Sequence, residues 1–190
     1  MSKVLGIAGG PRKGGNSDLL LDAFLEGASS KASEVEKIYI ADKVIAPCDE
    51  KNVCYKDGVC HIRDDMQQIY EKLLLADCLV VAMPTFFMGP PAQLKVMIDR
   101  CQSLWAKRFI IKKPLRDDDK KRYGYLLSVS GLDKEDAFIG SKQTLKAFFY
   151  ILGFKYGGEI LIHGVDNIGD IKKREGALEE AKRMGKEINV

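Results

Sequence analysis

The chain has 190 residues, 30 Lys and Arg against 27 Asp and Glu, a formal net charge of +3, and 46% apolar and 30% charged residues. That length fits a single domain over residues 1–190 and can bury a full core. The charge is too small, and the basic residues too scattered, to argue for nucleic acid. No apolar run approaches the length of a membrane span, and MSKVLGIAGG enters a strand with no signal-peptide pattern, so the expected location is cytoplasmic.

The first apolar run, Val4 to Ala8, leads into GGPRKGGNS over Gly9–Ser17, and Leu20, Leu21, Phe24, Leu25 and Ala28 then recur at helical spacing. Asn16 or Ser17 is the expected N-cap. Val35–Ile40 reads as a short strand. A polar loop from about Ala41 to Ile62 carries Cys48, Cys54 and Cys60, and Asp64 or Asp65 caps a helix facing inward through Met66, Ile69, Tyr70, Leu73 and Leu74. Cys78–Met83 is continuously apolar, as a strand buried on both faces is. Pro84 ends it, PTFFMGPP follows, and Pro90 or Pro91 opens a helix. From Trp105 to Arg122 the pattern breaks down, and Asp117–Asp119 between lysines reads as a solvated, mobile hairpin or an oligomer arm. Tyr123–Val129 is the next strand, closed by Ser130-Gly131. A helix follows from about Lys134 to Leu152, a strand within Phe154–Val165, and a helix over Ile171–Ile188 with Leu178, Ala181, Met184 and Ile188 inward.

Strand-like and helix-like runs thus alternate five times, which predicts an α/β fold with a parallel sheet between two helical layers. The expected arrangement is a flavodoxin-like three-layer sandwich, a five-stranded parallel sheet of order 2-1-3-4-5 with its ligand at the carboxyl ends of the strands. On that plan Gly9–Ser17, Pro84–Gly89 and Ser130-Gly131 converge.

A glycine turn between strand and helix places unpaired amides and the positive end of a helix dipole at one point, which suits an anion; the plainer alternative is a surface turn. Arg12, Lys13, Asn16 and Ser17 add charge and donors. A P-loop needs G-x-x-x-x-G-K-[ST], and here Gly15-Asn16 stands where Lys-Ser/Thr should. The dinucleotide pattern G-x-G-x-x-G is also missing, as is an acidic residue ending the second strand. A monophosphate survives both tests. The two phenylalanines and Met88 of the second loop offer a stacking surface for a planar ligand, or cover a sheet edge or a subunit contact.

GGPRKGGNSDLLL, DDMQQIYEKLLLADCLVVAMP and PTFFMGPPAQLKVMIDR together resemble the NAD(P)H-dependent FMN reductase family, and within it the iron–sulfur flavoprotein branch. The resemblance implies FMN as cofactor and NAD(P)H as electron donor. It implies that Arg12, Asn16 and Ser17 hold the FMN phosphate beside Gly10, that Pro84, Thr85, Phe86, Phe87, Met88 and Gly89 line the ring, and that Ser130 and Gly131 close the third side. Gly10 stands where the family usually has Ser, and Phe86 where it usually has Tyr. The implied activity is an FMN-dependent oxidoreductase passing electrons to a quinone, an electron carrier or another small acceptor, with a flavin electron-transfer protein as the alternative. No catalytic side chain is expected, since the cofactor carries the chemistry. A homodimer or homotetramer is implied as well.

Five cysteines, an odd number, argue against a disulfide scaffold, and Cys78 and Cys101 read as buried hydrophobes. Iron–sulfur flavoproteins carry a compact run of four cysteines, whereas Cys48, Cys54 and Cys60 are three, with Lys51 at the missing place. Three could hold a three-iron or labile cluster, or zinc with His61 as fourth ligand, but the expectation is a loop without metal or iron–sulfur cluster. His163 reads as a structural imidazole.

Overall fold

The computed structural model describes residues 2–189. Its strands are β1 (Lys3–Ala8), β2 (Glu34–Tyr39), β3 (Cys78–Pro84), β4 (Arg122–Val129) and β5 (Phe154–Ile162). All pair in parallel in the order β2-β1-β3-β4-β5, as expected. Side chains alternate across the pleat. Leu5, Ile7, Leu79, Val81, Met83 and Leu126 face one core, and Val4, Ala8, Cys78, Val80, Ala82 and Leu127 face the other. The apolar run of β3 is continuous because both faces are covered.

The helices are α1 (Asn16–Ala28), α2 (Met66–Leu75), α3 (Ala92–Arg100), α4 (Gln102–Trp105), α5 (Ile139–Leu152) and α6 (Ala177–Lys186). One core packs α1 and α6, and the other packs α2, α3, α4 and α5. The first pair meets backbone to backbone: a Cβ on Gly27 would lie 2.0 Å from Lys182 O, and one on Gly185 2.0 Å from Phe24 O. Small residues therefore set that helix spacing, with Ala177, Ala181 and Gly185 buried and Leu178 and Met184 only half-buried.

Two segments differ from the periodicity. The helix expected over Ile171–Ile188 is a 3-10 turn at Asp170–Lys173 and, after Gly176 at φ +75°, the shorter α6. The pattern that breaks at Trp105 conceals a helix: α4 runs into a π-helical turn, Ala106–Ile110, which ends near Lys112 at φ +59°. That turn is stabilised by distant partners. Phe109 stacks on Tyr150 with centroids 5.8 Å apart, Trp105 packs between Tyr55 and Phe109, and Arg108 donates to Ile151 O at 3.1 Å. Beyond it, the expected solvated hairpin is tethered, because Arg116 donates to Leu74 O, Leu75 O and Ala76 O, the carbonyl end of α2.

Candidate functional site

At the carboxyl edge of the sheet, the chain leaving β1 turns through Gly9–Gly15 into α1. Gly9 N donates to Ala82 O at 2.8 Å, holding the loop against β3. Gly10 lets the loop approach its neighbour: a Cβ there would lie 2.8 Å from Pro84 Cδ and 3.2 Å from Ser17 Oγ. Ser17 Oγ thus already occupies the space beside position 10, which a side chain there would have to share. Gly14, at φ +71°, is in the left-handed region open to glycine.

This loop leaves polar groups free. The amides of Asn16, Ser17 and Asp18 donate to no acceptor among the described residues. Lys13 pairs with Asp42 at 2.6 Å, whereas Arg12 forms no ion pair among the described residues. Unpaired first-turn amides, a hydroxyl and a free guanidinium make a compact donor set for a phosphate. The expected side-chain N-cap is absent: Gly15 occupies the cap position and Asn16 opens the helix. The Asn16 side chain instead donates to Asn167 O at 2.9 Å and accepts from the amides of Gly169 at 3.0 Å and Ile171 at 3.2 Å. It pins the loop that follows β5.

The second loop is stiff. Phe86 and Gly89 exchange two backbone hydrogen bonds of 2.9 Å around Phe87 at φ +48° and Met88 at φ +62°. Both central residues of this tight turn are left-handed, a geometry that usually takes Asn-Gly. The turn is anchored elsewhere. Ser141 N donates to Met88 O at 3.1 Å, and the Thr85 hydroxyl lies 3.0 Å from that of Ser128 and 3.1 Å from that of Ser141. Phe87 projects wholly into solvent, with Phe86 and Met88 also exposed.

Between the loops lies a cavity of about 160 Å³. Of the residues expected at a site, Gly10, Arg12, Asn16 and Ser17 line it from the first loop, Pro84, Thr85 and Phe86 from the second, and Gly131 from the third. Phe87, Met88 and Gly89 stand outside its wall. So does Ser130, which is buried and fastens the end of β4: its amide donates to Ile162 O, its carbonyl accepts from Val165 N, and its hydroxyl accepts from Leu132 N. A fourth wall, Val165, Asp166 and Ile168, comes from the loop after β5. No motif marks it, but the strand order does, since β5 also ends on this edge.

The cysteine loop sits apart from this cavity. Its two ends converge on Arg100, whose side chain is fully enclosed. Arg100 donates to Ala46 O at 2.7 Å, Ile62 O at 3.2 Å and Asp64 Oδ2 at 2.6 Å. Burial pushes the Asp64 carboxyl up, but the Arg100 bond and the amides of Ala46 and Met66 outweigh it and hold the group below its usual value. Inside the loop Asp49 accepts from Lys51 at 2.9 Å and His61 at 3.1 Å. Cys48 is exposed, Cys54 half-buried and Cys60 buried. Cys78 and Cys101 lie in the two cores, where burial pushes the Cys78 thiol up to about 12 and the Cys101 thiol up as well. A four-iron cluster takes four thiolates. The loop offers three, with a lysine ammonium and a carboxylate among them, and no grouping of three or more His, Cys, Asp or Glu among the described residues is placed to share a metal ion. The donor set does not fit such a cluster.

Residues 2–158 match the NADPH-dependent FMN reductase family. The chain is 38% identical over 129 residues to an iron–sulfur flavoprotein of Methanosarcina thermophila, covering 68% of this chain and 63% of that protein, less than two thirds of its length. It is 32% identical to an iron–sulfur flavoprotein of Methanocaldococcus jannaschii, covering 98% of this chain and 95% of that one. Among solved structures it is similar in fold to an NAD(P)H:quinone oxidoreductase from Methanothermobacter marburgensis, with a TM-score of 0.71, 20% identity and 99% of both chains covered. With a flavodoxin-like sheet, a free donor set at the head of α1 and this match over most of its length, the chain belongs to the NADPH-dependent FMN reductase family.

Proposed function

We propose that the protein is an oxidoreductase that binds FMN at the carboxyl edge of its sheet, takes electrons from NAD(P)H and passes them to a quinone, a soluble electron carrier or another small acceptor. The observation that carries this reading is the donor set left free around Arg12, in a chain of the FMN reductase family. Bound FMN would supply the hydride and electron chemistry. The chain's own residues supply binding and orientation. Arg12, Ser17 Oγ and the Asn16–Asp18 amides suit the phosphate, and Gly10 keeps that pocket against Pro84. Pro84, Thr85 and Phe86, with Gly131, would border the ring, and Ser130 and Asn16 hold two of the loops in register.

The cavity is below the ~300–1,000 Å³ usual for a site that engulfs a drug-sized ligand. It suits the phosphate end of FMN and leaves an apolar mouth, with Phe86, Phe87 and Met88 exposed, that a second copy would cover in a homodimer or homotetramer. A cytoplasmic location accords with this reading; no described helix is long and apolar enough to cross a membrane. A second reading is a flavin electron carrier with little direct NAD(P)H turnover, which the likeness to proteins named iron–sulfur flavoprotein leaves open. Anaerobic mixing of the purified protein, FMN and NADH or NADPH separates the two. Prompt bleaching of the flavin absorbance is expected; bound but unbleached FMN would favour the carrier, and no uptake of FMN would sink both.

A further inference from the structure

Asp18 faces the ligand end of α1 yet is buried, an unusual place for a carboxylate beside an anion site. Its Oδ2 accepts from Gly14 N at 2.7 Å. Gly14 is the left-handed residue of the turn that Gly15 N closes onto Arg12 O at 3.2 Å. The carboxylate therefore grips the turn that carries Arg12. Its charge is answered from β2: Lys37 Nζ lies 2.6 Å from Asp18 Oδ1, an ion pair without hydrogen-bond alignment, and 2.6 Å from Asp22 Oδ1. The Tyr39 hydroxyl donates to Asp18 Oδ2 at 3.3 Å. Burial pulls the Lys37 ammonium down, but the adjacent Asp18 and Asp22 carboxylates outweigh that and raise it above the usual lysine value. The Tyr39 ring lies 4.7 Å from Lys37 Nζ and 4.9 Å from Lys13 Nζ, and Lys13 is paired with Asp42.

These contacts sort the loop's groups into two kinds. Lys13, Gly14 N and Gly15 N are consumed in holding the loop's shape, while Arg12 and the Asn16–Asp18 amides stay free. We propose that Asp18, neutralised by Lys37, is a positioning residue that fixes the Gly14 turn and the Arg12 backbone for a phosphate, and so sets a preference for FMN over riboflavin. This rests on the flavin reading. A residue that served the fold alone would, when removed, weaken both flavins alike. A residue that shapes the phosphate pocket weakens only the phosphorylated one.

The test compares wild type with Asp18→Ala and Asp18→Asn, the latter keeping an oxygen that can accept from Gly14. Dissociation constants for FMN and riboflavin are read by flavin fluorescence, and Gly14 amide exchange by NMR. In Asp18→Ala the FMN-over-riboflavin preference should fall about tenfold or more, as loss of a hydrogen bond to a charged group implies, and Gly14 should exchange faster. Asp18→Asn, which keeps the acceptor but not the charge paired with Lys37, should lie between wild type and Asp18→Ala in both. An unchanged preference in Asp18→Ala, or an equal loss for the two flavins, overturns the proposal. Should wild type take up neither flavin, the flavin reading fails, and a titration with inorganic phosphate still decides. Amide shifts at Asn16, Ser17 and Asp18 that vanish in Asp18→Ala support the positioning role. Shifts that persist there, or none in wild type, overturn it.

Discussion

The loop Gly9–Ser17 and the cysteine loop between Ala46 and Ile62 are built on opposite plans. The first is small, braced from outside by the Asp18 carboxylate and by Ala82 O of β3, and leaves Arg12 and the Asn16–Asp18 amides unpaired. The second is larger and has its charges paired: Lys51 and His61 on Asp49 inside it, and Arg100 of α3 on Asp64 and on the carbonyls at both ends. Unpaired donors near a surface are costly to leave dry and ready to meet an anion, whereas paired ones brace a chain. Polar composition alone does not tell these cases apart; pairing does.

Four measurements test that contrast. Arg100→Ala should have the largest effect, because it strands the Asp64 carboxylate and frees both ends of the cysteine loop. A loss of about 3–5 kcal/mol of stability is expected, as for a broken buried pair. Urea denaturation measures it, and FMN affinity of the still-folded protein should be little changed; a stable variant would mean that the neck is not closed by charge. Next, Arg12→Ala should leave stability alone and weaken FMN by about 1.5–3 kcal/mol, the range for charge-assisted hydrogen bonds, with riboflavin binding unaltered in a fluorescence titration. Equal weakening of both flavins would deny Arg12 its phosphate partner.

Gly10→Ser tests the close approach. Its Cβ would press on a proline ring carbon 2.8 Å away, so a penalty of about 1–3 kcal/mol for overpacking is expected in thermal unfolding. FMN affinity should fall with it. Higher affinity would show instead that the loop can shift and use the added hydroxyl. The smallest effect belongs to the exposed triad of the cysteine loop. The Lys51 hydrogen bond, aided by His61 against the opposing pull of desolvation, lowers the Asp49 carboxyl from 3.8 to about 2. A group with a lowered folded value stabilises above its unfolded value, so this contribution is present above pH 3.8 and lost as the pH falls toward 2. An acid-unfolding curve of Asp49→Asn should lack that component and otherwise overlay wild type.

How much was legible follows from the range of each interaction. The five strands could be read because burial on two faces writes a continuous apolar run. The π-helical turn at Ala106–Ile110 could not, because Phe109 and Arg108 find their partners on α5, about forty residues away. Asn16 looked like a cap or a phosphate contact from its neighbours; its actual partners lie at 167–171. Phe87 reads as part of one stacking surface with Phe86, and the left-handed turn directs its side chain wholly to solvent.

The five strands and the three loops at their carboxyl ends are written along the chain, since strand ends and glycine turns are local signals. The sequence also carried the departure from a four-cysteine loop, because ligand number is a count of residues. Which donors are free and which are spent is settled by packing: Arg12 against Lys13, the Asn16 amide against its side chain, and Asp18 as a brace on the Gly9–Ser17 loop. The reason is physical. A hydrogen bond or ion pair is settled by distances of a few ångströms between residues that can stand 150 positions apart, and no pattern along the chain encodes that.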